Sequence, residues 1–106
     1  MIPRLASETL CRLAKGFPIV ALTGPRQSGK TTLAKAVFSD KAYVSLENPQ
    51  EREFAQQDPQ RFLLRFNDGA ILDEVQRTPE LFSYLQGVVD SSHQSGQFIL
   101  TGSNNF

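Results

Sequence analysis

The sequence predicts an α/β fold, a parallel sheet with helices on both faces. Three observations carry that reading. Short apolar, β-favouring runs recur at 17–22, 42–46, 70–72 and 97–102, and helical periodicity fills the spaces between them. Alternation of this kind favours parallel strands joined by crossover helices. A glycine-rich loop, a carboxylate pair and a hydroxyl-bearing segment each follow one of the runs directly. In such sheets ligands bind at the carboxyl ends of the strands.

Taken in order, Arg4 to Lys15 carries Leu5, Leu10 and Leu13 at roughly helical spacing, which predicts a first helix; Gly16 ends it and Pro18 bars its extension. Cys11 on that helix is expected to be a small buried residue. "FPIVAL" (17–22) reads as a strand buried on both faces. Behind the glycine loop, Leu33, Ala34, Val37 and Phe38 share one helix face. "AYVSL" (42–46) is a second strand, broken by Asn48-Pro49. Residues 50–66 read as helix in two pieces, interrupted at Pro59, with Phe54, Phe62, Leu63 and Phe66 inward. After the Asn67-Asp68-Gly69 turn, "AIL" (70–72) is a third strand. Thr78-Pro79-Glu80 supplies an N-cap, a first-turn proline and an early acid for a helix whose apolar stripe is Leu81, Leu85, Val88 and Val89. "QFILTG" (97–102) is the fourth strand.

The totals bound the function. A chain of 106 residues, 40% hydrophobic and 21% charged, suits one small globular domain. It has no apolar run long enough to span a membrane and no apolar core of a secretory signal, so the expected location is the cytoplasm. One cysteine excludes an internal disulfide, no Cys/His cluster suggests zinc, and His93 reads as a loop residue. The net charge of zero conceals a gradient, +5 over residues 1–41 and −5 over 42–106. Two of the early cations lie within the glycine loop, where a phosphate accounts for them as well as nucleic acid does.

Gly24-Pro-Arg-Gln-Ser-Gly29-Lys30-Thr31 fits G-x-x-x-x-G-K-[ST] at every fixed position. A backbone that wraps phosphate oxygens must bend tightly and approach without a Cβ, hence the glycines. Its amides and the positive end of the next helix attract the anion. Lys30 would reach the β- and γ-phosphates and Thr31 would bind Mg²⁺. The nucleotide-binding set is Gly24, Pro25, Arg26, Gln27, Ser28, Gly29, Lys30, Thr31 and Thr32, with Arg26 and Ser28 at variable positions and given no side-chain role. Chance produces such a match roughly a few times per thousand chains of this length, and here the required strand and helix flank it. Asp73, ending the third strand, is placed to reach the Mg²⁺ shell, and Glu74 to orient and deprotonate a water. A hydroxyl of Thr101 or Ser103 could contact the γ-phosphate or that water.

With these stretches in place, "GPRQSGKTTL", "VSLENP", "AILDEVQRTPELFSYLQGVVD" and "FILTGS" together resemble the N-terminal ATPase domain of a prokaryotic AAA-type family. These are P-loop ATPases of the additional-strand, catalytic-glutamate class. The resemblance implies a three-layer αβα P-loop NTPase fold with strand order 5-1-4-3-2, Walker A at Gly24–Thr31, Walker B at Asp73 and Glu74, and Ser103 at the sensor-1 position. It implies catalytic roles for Lys30, Glu74 and Ser103, metal ligation by Thr31 and Asp73, and ATP with Mg²⁺ as cofactors. Gln76 and Arg77 belong to the family pattern, and Glu47-Asn48 departs from the more usual acidic pair. The resemblance also calls for a fifth strand, a helical lid and a trans-acting arginine. Residues 1–106 hold none of these, so the expectation is an incomplete four-stranded sheet of order 1-4-3-2, a truncated product or a fragment. Residues 1–16 are the N-terminal helix and 17–106 the partial ATPase domain.

The expected function is Mg²⁺-ATP binding with little turnover, and an open edge on the first strand invites self-association. A nucleotide-sensing or DNA-associated module without catalysis is the alternative; its support is Arg4, Arg12 and Lys15, which a solvated helix face explains equally. A small-molecule or nucleotide kinase ranks below both, and the lack of N-K-x-D disfavours a GTPase.

Overall fold

The computed structural model describes residues 4–24, 29–92 and 96–103, with the side chains of 4–7 and 92 excepted. Its elements alternate as the periodicity requires. They are α1 (Arg4–Gly16), β1 (Ile19–Thr23), α2 (Lys30–Val37), β2 (Ala42–Ser45), α3 (Pro49–Gln57), α4 (Pro59–Leu64), β3 (Ala70–Asp73), α5 (Phe82–Ser92) and β4 (Phe98–Gly102). Two single-turn 3₁₀ segments, Val75–Arg77 and Pro79–Leu81, join β3 to α5.

The four strands are all parallel, in the order β1-β4-β3-β2. Register divides the side chains between two faces. Val20, Ile71 and Ile99 pack with Leu10 and Ala14 of α1 and Ala34 of α2. Val44, Ala70, Leu72, Phe98 and Leu100 pack with Ala55, Phe62 and Leu63 of α3–α4 and Leu85 and Val89 of α5. Each fully buried large side chain here contributes about 1.5–3 kcal/mol, so this second core is the heavier one. Arg65 lies over Phe54, Phe62 and Phe66 at 5.0, 4.9 and 4.9 Å from the ring centroids and pairs with Glu51 at 3.1 Å, closing the outer side of the aromatic cluster.

Side-chain caps form at two helix starts where none was expected, and fail at the one where a cap was expected. Asn48 accepts from the Gln50 amide (2.9 Å) and Asp58 from the Arg61 amide (3.2 Å), each followed by a proline at the first helical position. Thr78 does not cap. It is buried and its hydroxyl turns back to the Val75 carbonyl (3.2 Å), so a 3₁₀ turn precedes α5 and the helix proper starts at Phe82.

Three further expectations are corrected. The first strand runs from Ile19 to Thr23, not 17–22, because Phe17 and Pro18 carbonyls accept from Gly96, Gln97 and Phe98 in an irregular approach before regular pairing starts. It is an edge strand rather than one buried on both faces; Ala21 and Thr23 are exposed and Val20 alone is fully buried. Cys11 is exposed. Leu10 and Ala14, four residues apart, take the sheet-facing stripe of α1, which turns Cys11 and much of Leu13 (38% exposed) outward. His93 lies outside the described residues.

Candidate functional site

The carboxyl ends of β1, β3 and β4 meet the start of α2 on the side of the sheet that carries α1 and α2. Gly29 adopts φ +84°, a left-handed conformation open to glycine, and its carbonyl accepts from Leu33 to begin α2. The amides of a helix's first turn have no carbonyl partner within the helix, so the start of α2 is a place where an anion can be met by backbone donors. Gly24 directly follows β1. Pro25, Arg26, Gln27 and Ser28 lie outside the described residues.

Thr31 donates its hydroxyl to Asp73 Oδ1 at 3.2 Å, across 42 residues of sequence. Two other hydroxyls reach the same carboxylate: Thr101 to Oδ1 at 2.6 Å and Tyr43 to Oδ2 at 2.6 Å. Partial burial pushes the Asp73 pKa up. The bonds from Thr101, Tyr43, Thr31 and the Glu74 amide outweigh it and hold the carboxyl below its usual range, ionised at neutral pH. Burial, then the bond to Asp73, pushes the Tyr43 phenol up to about 12, so it stays a donor. The Lys35 ammonium sits 3.8 Å above the Tyr43 ring centroid, one turn of α2 beyond Thr31.

Glu74 follows with φ 57° and ψ 43°, a left-handed conformation that costs a non-glycine residue of the order of 1–2 kcal/mol. The turn swings its side chain inward, leaving it 6% exposed. Ser103 donates to Oε1 at 2.6 Å, and the Gln76 amide nitrogen donates to Oε2. The other atom of that amide, Gln76 Oε1, is buried and has no hydrogen-bond partner among the described residues.

The sequence-predicted residues Thr31, Asp73, Glu74 and Ser103 are thus brought together, with Lys30 beside Thr31 in the same first turn of α2. Of the two candidate hydroxyls, Thr101 is fully buried and donates to Asp73, while Ser103 lies against Glu74. Two residues escaped the sequence reading of roles. Tyr43 appeared there only as a β-former and Gln76 only as part of a pattern. Arg77 pairs with Glu47 at 3.8 Å, both about half exposed, beside the rim.

Among the described residues no three His, Cys, Asp or Glu side chains converge as a metal cage. One ionised carboxylate and one hydroxyl are hard oxygen donors of the kind Mg²⁺ uses when phosphates and waters complete its shell, so the donor set fits that ion. A hollow of about 590 Å³ lined by Asp40, Lys41, Arg65 and Asp68 opens at the opposite end of β2 and β3, away from this rim.

A parallel sheet of order β1-β4-β3-β2, with a glycine loop after β1 leading into a helix, defines a P-loop NTPase-like α/β domain. The family model of the AAA domain matches residues 16–106, and the chain belongs to that family. It is thereby a nucleotide-binding, ATPase-like domain. Uncharacterized proteins of Mycobacterium bovis and Mycobacterium tuberculosis are each 36% identical over 102 residues, which is 94% of this chain and 23% of theirs. The chain therefore spans about a quarter of the length of these relatives. The solved structure of C. elegans PCH-2 matches with a TM-score of 0.57 at 18% identity, covering 95% of this chain and 36% of that one. At that identity the likeness concerns the fold. No helix among the described residues is long and apolar enough to cross a membrane.

Proposed function

We propose that the rim binds Mg²⁺-ATP and that residues 17–106 form the ATPase part of the chain, with 1–16 as an N-terminal helix. The observation that carries this reading is the Thr31–Asp73 contact, which sets the hydroxyl behind the glycine loop against the carboxylate ending β3. The amides of the 24–32 segment and the Lys30 ammonium would take the phosphates. Thr31 and Asp73 would hold Mg²⁺, which when bound neutralises charge on the phosphate oxygens. Glu74 is the proposed base for the attacking water, and Ser103 orients its carboxylate.

Turnover by the isolated chain is expected to be slow. Among the arginines with described side chains, Arg61, Arg65 and Arg77 face the carboxylates of Asp58, Glu51 and Glu47, Arg52 the Leu46 carbonyl, and Arg12 is exposed on α1. An arginine aimed at the transition state is worth ~10³–10⁵ in rate. The exposed edge of β1 is a proposed site of self-association.

Glu74→Gln tests the catalytic assignment. It keeps the shape and one acceptor oxygen and removes the basic carboxylate, so ATP affinity should stay within about twofold while single-turnover hydrolysis falls by ~10²-fold or more. Unchanged hydrolysis removes Glu74 as the base.

A further inference from the structure

Ser103 engages one oxygen of Glu74 and Gln76 the other. A carboxylate only accepts, so the Gln76 amide turns its NH₂ group toward Oε2 of Glu74. Its own oxygen is then left beside the carboxylate without bonding to it. That atom, Gln76 Oε1, is buried and meets no donor among the described residues. A buried acceptor in that state costs free energy, and the partner such atoms ordinarily take is an ordered water.

The backbone that carries Gln76 is pinned on both sides. Val75 is fully buried, and its carbonyl accepts from the amide (3.0 Å) and the hydroxyl (3.2 Å) of Thr78. The Arg77 amide reaches back to the Glu74 carbonyl at 3.1 Å, and Gln56 Nε2 donates to the Arg77 carbonyl at 3.4 Å. With its backbone held and its nitrogen tied to Glu74, the carboxamide keeps one orientation. A carboxylate oxygen and an amide oxygen therefore stand side by side.

Two neighbouring acceptors suit a molecule with two protons to donate. We propose that Gln76 is a further catalytic residue, whose side-chain oxygen holds the second proton of the water that Glu74 deprotonates; this rests on the reading of Glu74 as the base. Held through both protons, the water keeps a lone pair for the γ-phosphate and is oriented before the transition state. Its oxygen bonds to the γ-phosphorus as the bond to the bridging oxygen breaks, and that electron pair leaves with ADP. One proton passes to Glu74. The other stays on the product phosphate, still bonded to Gln76 Oε1. A neutral amide suits the task because it accepts the hydrogen bond without taking the proton, and other phosphoryl-transfer sites use a glutamine to orient water.

The test has two arms, both on the full chain. A crystal structure of wild type with Mg²⁺ and a non-hydrolysable ATP analogue should show one water within about 2.5–3.2 Å of both Gln76 Oε1 and a Glu74 carboxylate oxygen. Gln76 Oε1 bonded to a protein donor, or facing no water, overturns the proposal. The second arm is single-turnover hydrolysis by Gln76→Met, which keeps the length and removes both polar atoms. Its rate at saturation should fall about tenfold or more, while affinity for a fluorescent ATP analogue stays within about twofold. An unchanged rate overturns the proposal, and a raised rate does so by showing that Gln76 only restrains Glu74. In a Glu74→Gln background, Gln76→Met should lower the residual rate again by about threefold or more; no further loss means that it acts only through the carboxylate, which also overturns the proposal. The crystallographic arm uses wild type and decides the matter if Gln76→Met fails to fold by circular dichroism. If wild type releases no phosphate above a buffer blank, or Glu74→Gln keeps the full rate, the hydrolytic reading fails and this inference with it. If Glu74→Gln lowers the rate and Gln76→Met does not, only the inference fails.

Discussion

Asp73 and Tyr43 shift in opposite directions and should leave opposite marks on stability. The Asp73 pKa is lower folded than unfolded, so its contribution is full above the unfolded carboxyl value of ~3.9 and is lost as pH falls through the folded value. The Tyr43 pKa rises from 10.0 to about 12 on folding. Its contribution is full below the unfolded value and is lost as pH climbs between the two. Thermal unfolding of wild type and Tyr43→Phe should therefore converge as pH rises through that alkaline window. Curves that stay parallel there contradict the neutral-donor assignment.

At this scale the sequence discloses residues whose chemistry is tied to local spacing, namely Lys30 and Thr31 after a glycine and Asp73-Glu74 after an apolar run. Tyr43 and Gln76 were not legible in role. Tyr43 depends on the register of β2 against β3, and Gln76 on the left-handed turn at Glu74; neither leaves a mark in spacing. Cys11 was misread because Leu10, Cys11, Ala14 and Leu13 all look apolar, and the helix's exact rotation decides which of them meet the sheet.

At the level of elements, alternation and breakers located every strand and helix, with shifts where backbone geometry intervened. Pro18 lies inside the expected first strand, yet regular pairing begins after it. The β3 entry depends on Gly69, at φ +87° with its amide bonded to Phe66. A Cβ there would fall 1.6 Å from the Gln97 carbonyl oxygen, backbone that cannot yield without parting β3 from the approach to β4. Gly69→Ala should cost more than ~3 kcal/mol in urea unfolding, from clash and positive φ together. A loss below about 1 kcal/mol contradicts this packing. At α4, where a side-chain cap does form, Asp58→Ala should cost about 1 kcal/mol in the same assay; no change would mean that the Arg61 amide does not need it.

For the whole molecule, one sheet gathers on a single rim groups that lie far apart in sequence, Thr31 and Asp73 by 42 positions and Ser103 and Glu74 by 29. The strand order was legible only through resemblance, since alternation alone does not say that β4 lies between β1 and β3. A ligand seated on that rim would tie α2, β3 and β4 together. At a concentration one hundred times its Kd it stabilises the fold by about 2.7 kcal/mol, a rise in melting temperature of roughly 10–20 °C for a domain of this size. No rise at saturation would mean that the nucleotide does not bind the folded state.

The most direct measurement is the affinity of a fluorescent ATP analogue for wild type and for Lys30→Ala, in Mg²⁺ at fixed salt. Wild type should bind saturably, and Lys30→Ala at least about tenfold more weakly, since a charge-assisted phosphate contact worth ~1.5–3 kcal/mol is lost. Equal affinity for the two proteins, or no binding by wild type, contradicts the Mg²⁺-ATP reading.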